Sequence, residues 1–114
     1  MIEKNFAGGR WSKAKYRQFI VSALRRASMR YPVRADAKNA ARRPNQSANK
    51  RLTWEYQCAC CHGWFPGKET QVDHIVECGD ILSDPGGFIG RLFCEVDNLQ
   101  VLCKGCHGAK KAIK

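Results

Sequence analysis

Two C-x-x-C pairs, Cys58 with Cys61 and Cys103 with Cys106, constrain this chain more than any other feature, with 41 residues between them. Each pair has the spacing that lets two thiolates grip one ion from a tight knuckle, and two pairs together complete a tetrahedral four-thiolate zinc site. A chain of 114 residues can bury only a modest core. A structural metal would therefore supply a large share of its stability. Seven cysteines can also frame a secreted disulfide scaffold. Against that, no charged start followed by an apolar stretch and a cleavage site opens the sequence, and no apolar run approaches the ~18 residues of a membrane span. The expected setting is reducing and cytoplasmic, with thiolates on metal and no membrane association. The other three cysteines, Cys60, Cys78 and Cys94, read as small buried hydrophobes.

The formal net charge of +10 is unevenly distributed. Residues 1–51 hold 14 Lys and Arg against two acids, a net +12, whereas residues 52–114 hold 6 against 8, a net −2. Four thiolates on a zinc make the second part more negative still. A polyanionic partner would be held mainly by the N-terminal half.

Residues 1–10 carry little pattern, and Gly8-Gly9 breaks what there is. Ser12 is placed to cap a helix over about 13–30, in which Tyr16, Phe19, Ile20, Ala23, Leu24 and Ala27 recur at three- and four-residue steps. Pro32 stops it. The other face carries Lys13, Arg17, Arg25 and Arg26, and a weaker helical stretch over 33–43 adds Arg34, Lys38, Arg42 and Arg43. Residues 44–50 read as a polar linker, which divides the chain into a basic helical arm, 1–50, and a metal-bearing module, 51–114. Short strands are expected at Trp54–Tyr56, at Trp64-Phe65 and over 71–76, the aromatics being core residues. A loop rich in Asp, Pro and Gly, a short helix at 88–93, and a final basic helix with Lys110 and Lys111 complete the α+β reading.

Asp73, His74, Asn98 and His107 are what a purely structural zinc site would not need. Hydrolysis of a phosphodiester requires a base for the water, a Lewis acid on the phosphate, and a group that holds the base in place. Asp73 and His107 suit one hard or borderline divalent ion with coordination positions left open. His74 remains as the general base, since imidazole titrates near neutrality. Asn98 can fix the loop around His74 or take a place on the metal.

Asp73-His74-Ile75, Asn98 to Cys103, and Cys106-His107 together resemble the HNH endonuclease family, over about residues 54–112. The resemblance implies a ββα-metal unit bracketed by two zinc knuckles, with Asp73 and His107 on a catalytic Mg²⁺, Mn²⁺, Ni²⁺ or Zn²⁺. It further implies His74 as base, Asn98 as the structural polar residue, and products with 5′-phosphate and 3′-hydroxyl ends. Arg91 to Glu95 and the basic helices are similar to small phage HNH proteins, so the partners expected are DNA and phage packaging proteins, in a bacterial host cytoplasm. DNA contacts are expected from Arg17, Arg25, Arg26, Arg34, Arg42, Arg43, Lys110 and Lys111. Two other classes compete. A zinc ribbon that binds DNA without cutting it explains the cysteines and the charge. A di-haem carrier uses Cys58-x-x-Cys61-His62 and Cys103-x-x-Cys106-His107 as attachment motifs, but leaves Asp73, Asn98 and the basic half without a purpose.

Overall fold

A computed structural model describes residues 3–112, the side chains of 111 and 112 excepted. It is an α+β chain in the order α1 (Lys13–Ser28), α2 (Pro32–Ala40), β1 (Arg42–Pro44), β2 (Trp54–Gln57), β3 (Trp64–Phe65), β4 (Thr70–His74), α3 (Pro85–Leu92), β5 (Leu99–Cys103) and α4 (Lys104–Ala112). Single 3₁₀ turns at Gly67–Glu69 and Val96–Asn98 lead into β4 and β5. No described helix is long and apolar enough to cross a membrane.

The chain forms two compact units, and they interleave in sequence: residues up to Tyr31 with Glu77–Phe93, and Pro32–Val76 with Cys94 onward. The boundary expected at residue 50 thus falls inside the second unit. The reason is a strand that periodicity did not reveal: β1 pairs antiparallel with β2, setting Arg42 opposite Tyr56 and Pro44 opposite Trp54. Residues 45–53 are therefore a hairpin loop rather than a linker, closed by the amide of Asn45 donating to the Thr53 carbonyl at 3.1 Å.

In the first unit, the Ser12 hydroxyl accepts from the Lys15 amide at 3.2 Å and starts α1 where expected. Ile20, Val21 and Leu24 of α1 pack on Cys78, Ile81, Phe88 and Leu92. Phe88 is only 1% exposed, and its burial contributes roughly 1.5–3 kcal/mol. Phe19, placed on the apolar face by its spacing, is instead 58% exposed, its ring 4.9 Å from that of Trp11. Residues 6–11, which carry little pattern in sequence, form a turn. Phe6 bridges to Trp11 and stacks on Tyr16 at 4.5 Å, across a turn in which Ala7, Gly8 and Gly9 all have positive φ. Asp84 caps α3 by accepting from the Gly87 amide. A Cβ at Gly87 would lie against that carboxylate, so the cap depends on glycine there.

In the second unit, β2 is the centre of a three-stranded sheet, β1-β2-β3, and β4 pairs with β5 in an antiparallel ribbon. In that ribbon Asp73 faces Gln100 and His74 faces Leu99. Ala37 of α2 packs with Cys94 and Leu99, while Cys58, Leu102 and Cys103 form a separate buried cluster with Phe65 and Cys106 beside it. The 5%-exposed Glu55 accepts from Arg43 Nε at 2.7 Å and from the Gln46 amide at 3.2 Å. Replacing Glu55 with Ala strands Arg43 and the Gln46 amide. It should lower the unfolding free energy by about 3 kcal/mol, measured by urea denaturation of the metal-loaded protein; a change within about 0.5 kcal/mol would mean that the pair is not a stabilising one.

Candidate metal centre and the adjoining polar site

The first knuckle is the turn between β2 and β3. The Cys58 amide donates to the Gly63 carbonyl and the His62 amide to the Cys58 carbonyl, both at 2.9 Å. His62 closes the turn in the left-handed region, φ 62°, with its side chain exposed. The second knuckle forms where β5 ends and α4 begins, with the Cys106 amide donating to Cys103 Sγ at 3.4 Å. The Ala59 amide donates to the Val101 carbonyl at 2.8 Å and ties the two knuckles together.

The four sulfurs of Cys58, Cys61, Cys103 and Cys106 all lie within 4.8 Å of one another. Tetrahedral zinc with ~2.3 Å bonds sets its sulfurs about 3.8 Å apart. The set therefore fits a single ion with small adjustments, and the four cysteines are positioned to hold a structural metal such as zinc. Their protonation chemistry agrees. Burial pushes the Cys58 thiol up, but backbone hydrogen bonds from Cys103, Cys61 and Cys60 and the Cys61 thiol outweigh it and bring Cys58 down to about 6. The thiols of Cys103 and Cys58 then push Cys106 up. At Cys61 a backbone hydrogen bond from Gly63 pulls down but is overcome by burial and the neighbouring thiols. The thiolate of Cys58 forms readily while those of Cys61 and Cys106 resist, as expected of anions crowded without a cation; a bound dication would remove that resistance. Because the two pairs form one cluster, separate attachment of two haems is incompatible with this arrangement.

Cys60 corrects an expectation: it is exposed, whereas Cys78 and Cys94 are buried as anticipated. A C-A-C-C run in a tight knuckle cannot turn every side chain inward, and Cys60 is the one left at the surface without a place among the four ligands.

The second polar site lies on the β4-β5-α4 unit. Asp73 Oδ1 is 3.7 Å from His107 Nε2. Two ligands at ~2.1 Å from a shared ion lie no more than about 4.2 Å apart, and the separation of this pair falls within that limit. Among the described residues, however, it is a pair and not a cage: the four cysteines are the one cluster of three or more ligand groups. Asp73 Oδ2 is already engaged. It accepts from Gln100 Nε2 at 3.1 Å and from Lys110 Nζ at 2.5 Å, and Lys110 also donates to the His74 carbonyl at 2.7 Å. Burial raises the Asp73 carboxyl, but the hydrogen bonds of Lys110 and Gln100 and the charges of Lys110 and His107 hold it below the usual carboxylate range. Those contacts favour its anionic form.

His74 ends β4 and is half-buried beside Asp73. The strand expected to run to residue 76 stops here because Asn98 captures the following backbone. Asn98 Oδ1 accepts from the Val76 amide at 2.8 Å, its Nδ2 donates to the Val76 carbonyl at 3.3 Å, and its own carbonyl accepts from the Ile75 amide at 2.9 Å. Both polar atoms of the Asn98 side chain are thus used on backbone, the arrangement of a loop clamp.

The expected basic contacts divide. Arg25 and Arg26 are exposed on the last turn of α1. Arg17 is paired with Asp80 at 2.8 Å, and burial lowers the Arg34 guanidinium pKa. Arg42 stacks over Trp54 at 4.0 Å and Arg43 over Trp64 at 3.8 Å. Arg43, used by both Glu55 and Trp64, is a structural residue rather than a free surface cation. Lys110 belongs to the Asp73 site, and the Lys111 side chain lies outside the described residues. Gln100 and the Asp73–Lys110 contact were missed from sequence, although Lys110 sits one helical step after His107, a spacing that puts the two on one face. Compared with known families, characterised proteins and solved structures, the chain matches none of them.

Proposed function

We propose that this protein is a metal-dependent DNA endonuclease of the HNH type, carrying a structural zinc on its four cysteines. The observation that carries this reading is the convergence, on one strand pair and the helix that follows it, of Asp73 and His107 at 3.7 Å with His74 next in sequence and Asn98 clamping the loop beyond. Asp73 and His107 would hold a divalent ion, which when bound would supply Lewis acidity to the scissile phosphate. His74 accepts the proton of the attacking water. Asn98 holds residues 75 and 76 so that the His74 backbone cannot drift, and the product ends, 5′-phosphate and 3′-hydroxyl, follow from the family resemblance. Arg25 and Arg26 offer exposed charge for the DNA backbone. A link to phage genome processing or packaging rests on resemblance alone.

A zinc-bearing DNA binder without catalysis is the second reading, favoured by the ion pair of Asp73 with Lys110, which already neutralises the carboxylate. Supercoiled plasmid separates the two. Pure protein should convert it to nicked or linear DNA with added Mg²⁺, Mn²⁺ or Ni²⁺, and chelation that leaves the zinc content intact should stop the reaction. DNA retention without conversion under every ion would leave the binder and reject the nuclease.

A further inference from the structure

Lys110 is the feature that the proposed function does not absorb. Its ammonium lies 2.5 Å from Asp73 Oδ2 and 2.7 Å from the His74 carbonyl oxygen, two oxygens of the kind a hard divalent ion would choose. Its side chain is 31% exposed and that of Asp73 16%, so the pair is partly shielded and its charges are felt more strongly than at an open surface. The second carboxylate oxygen, Oδ1, faces His107. A divalent ion seated between Oδ1 and His107 would therefore stand one carboxylate width from a unit positive charge, and the two cations would compete for one anion.

We infer that Lys110 is a resident counter-ion of the Asp73 site, one that must leave the carboxylate for a divalent ion to bind and that then meets an oxygen of the substrate phosphate. The first half of this statement rests on the Asp73–His107 ion site of the nuclease reading, and the second half on its chemistry. In the resting protein Lys110 fixes and satisfies Asp73 Oδ2. Lying on α4 three residues after His107, it can move by side-chain rotation alone, with no change of backbone. The long flexible stem and point charge of lysine suit such a transfer, where the planar fork of arginine would lock on to the carboxylate.

The test is direct titration of Mn²⁺ into the zinc-loaded protein, without DNA, followed by electron paramagnetic resonance of the free ion. Lys110→Met removes the charge and keeps the stem; it should bind Mn²⁺ roughly tenfold or more tightly than wild type. Lys110→Arg keeps the charge and should bind no more tightly than wild type. Unchanged or weaker Mn²⁺ binding by Lys110→Met, in protein of full zinc content and native circular dichroism, would overturn the inference, because Lys110 would then support the site rather than compete for it. Tighter binding by both variants would also overturn it, since shape and not charge would be responsible. On plasmid, Lys110→Met should cut more slowly at saturating Mn²⁺ despite its higher affinity for the ion; cutting at the wild-type rate would refute the phosphate contact. A wild type that binds Mn²⁺ but never cuts would instead remove the nuclease reading, along with the phosphate contact, and leave the competition measurable.

Discussion

Cys58→Ser protein should come out of expression with less than one zinc per chain and without a cooperative melt of the second unit. Cys58 is the fully buried member of the four-sulfur cluster, 0% exposed, and packs with Leu102 and Cys103. A serine there is both a poor zinc ligand and a hydroxyl placed among apolar groups. Zinc held by four thiolates is worth about 10–16 kcal/mol near neutral pH, against a total stability of roughly 5–15 kcal/mol for a small domain. Losing most of that binding energy should therefore unfold the module rather than soften it. Cys60→Ser is the matched control. Cys60 is exposed and outside the cluster, so its substitution should leave zinc content and melting temperature unchanged. The readouts are metal analysis by mass spectrometry and thermal circular dichroism. Full zinc and an unaltered melt in Cys58→Ser would remove the cysteines from the metal assignment.

A comparable loss, in rate rather than stability, is expected of His74→Ala. General-base catalysis by a positioned imidazole contributes roughly 10²–10⁴ in rate, and plasmid nicking should fall by that factor. The fold should survive, because Asn98 holds the backbone at this corner, its side chain bonding to both the amide and the carbonyl of Val76. Zinc content, DNA retention and Mn²⁺ affinity should stay at wild-type values. His107→Ala provides the contrast: with one of the two ligands 3.7 Å apart removed, Mn²⁺ binding and cleavage should be lost together. If His74→Ala cut at the wild-type rate, another residue would be the base and the assigned roles would be wrong.

Much of this arrangement was readable in the chain itself. Cys58, Cys61, Cys103 and Cys106 announce a shared ion by spacing alone, because two thiolates three residues apart have few other ways to satisfy their geometry, and the sulfurs do meet within 4.8 Å. The helix starting after Ser12 and the β-prone stretch around Asp73 were legible for the same reason: cap chemistry and side-chain periodicity are local. Alternation also placed Trp54 and Tyr56 in a strand.

What tertiary structure alone decided is how residues distant in sequence share their charges. Arg43 reads as a surface cation until β1 pairs with β2 and sets it opposite Glu55. Three residues, Arg42–Pro44, are too short to show a period, so nothing local marks them as a strand. The same limit hid the interleaving of the two units, which depends on Glu77–Phe93 rejoining the N-terminal helix rather than the strands that flank it in sequence. It also hid Lys110, which composition assigns to a basic tail and the fold brings to Asp73, 37 residues away. Spacing determined which cysteines can share a metal; only the packing of α4 on β4 and β5 decided that the Asp73 carboxylate is paired with the protein's own lysine, since Coulomb attraction acts through space and not along the chain.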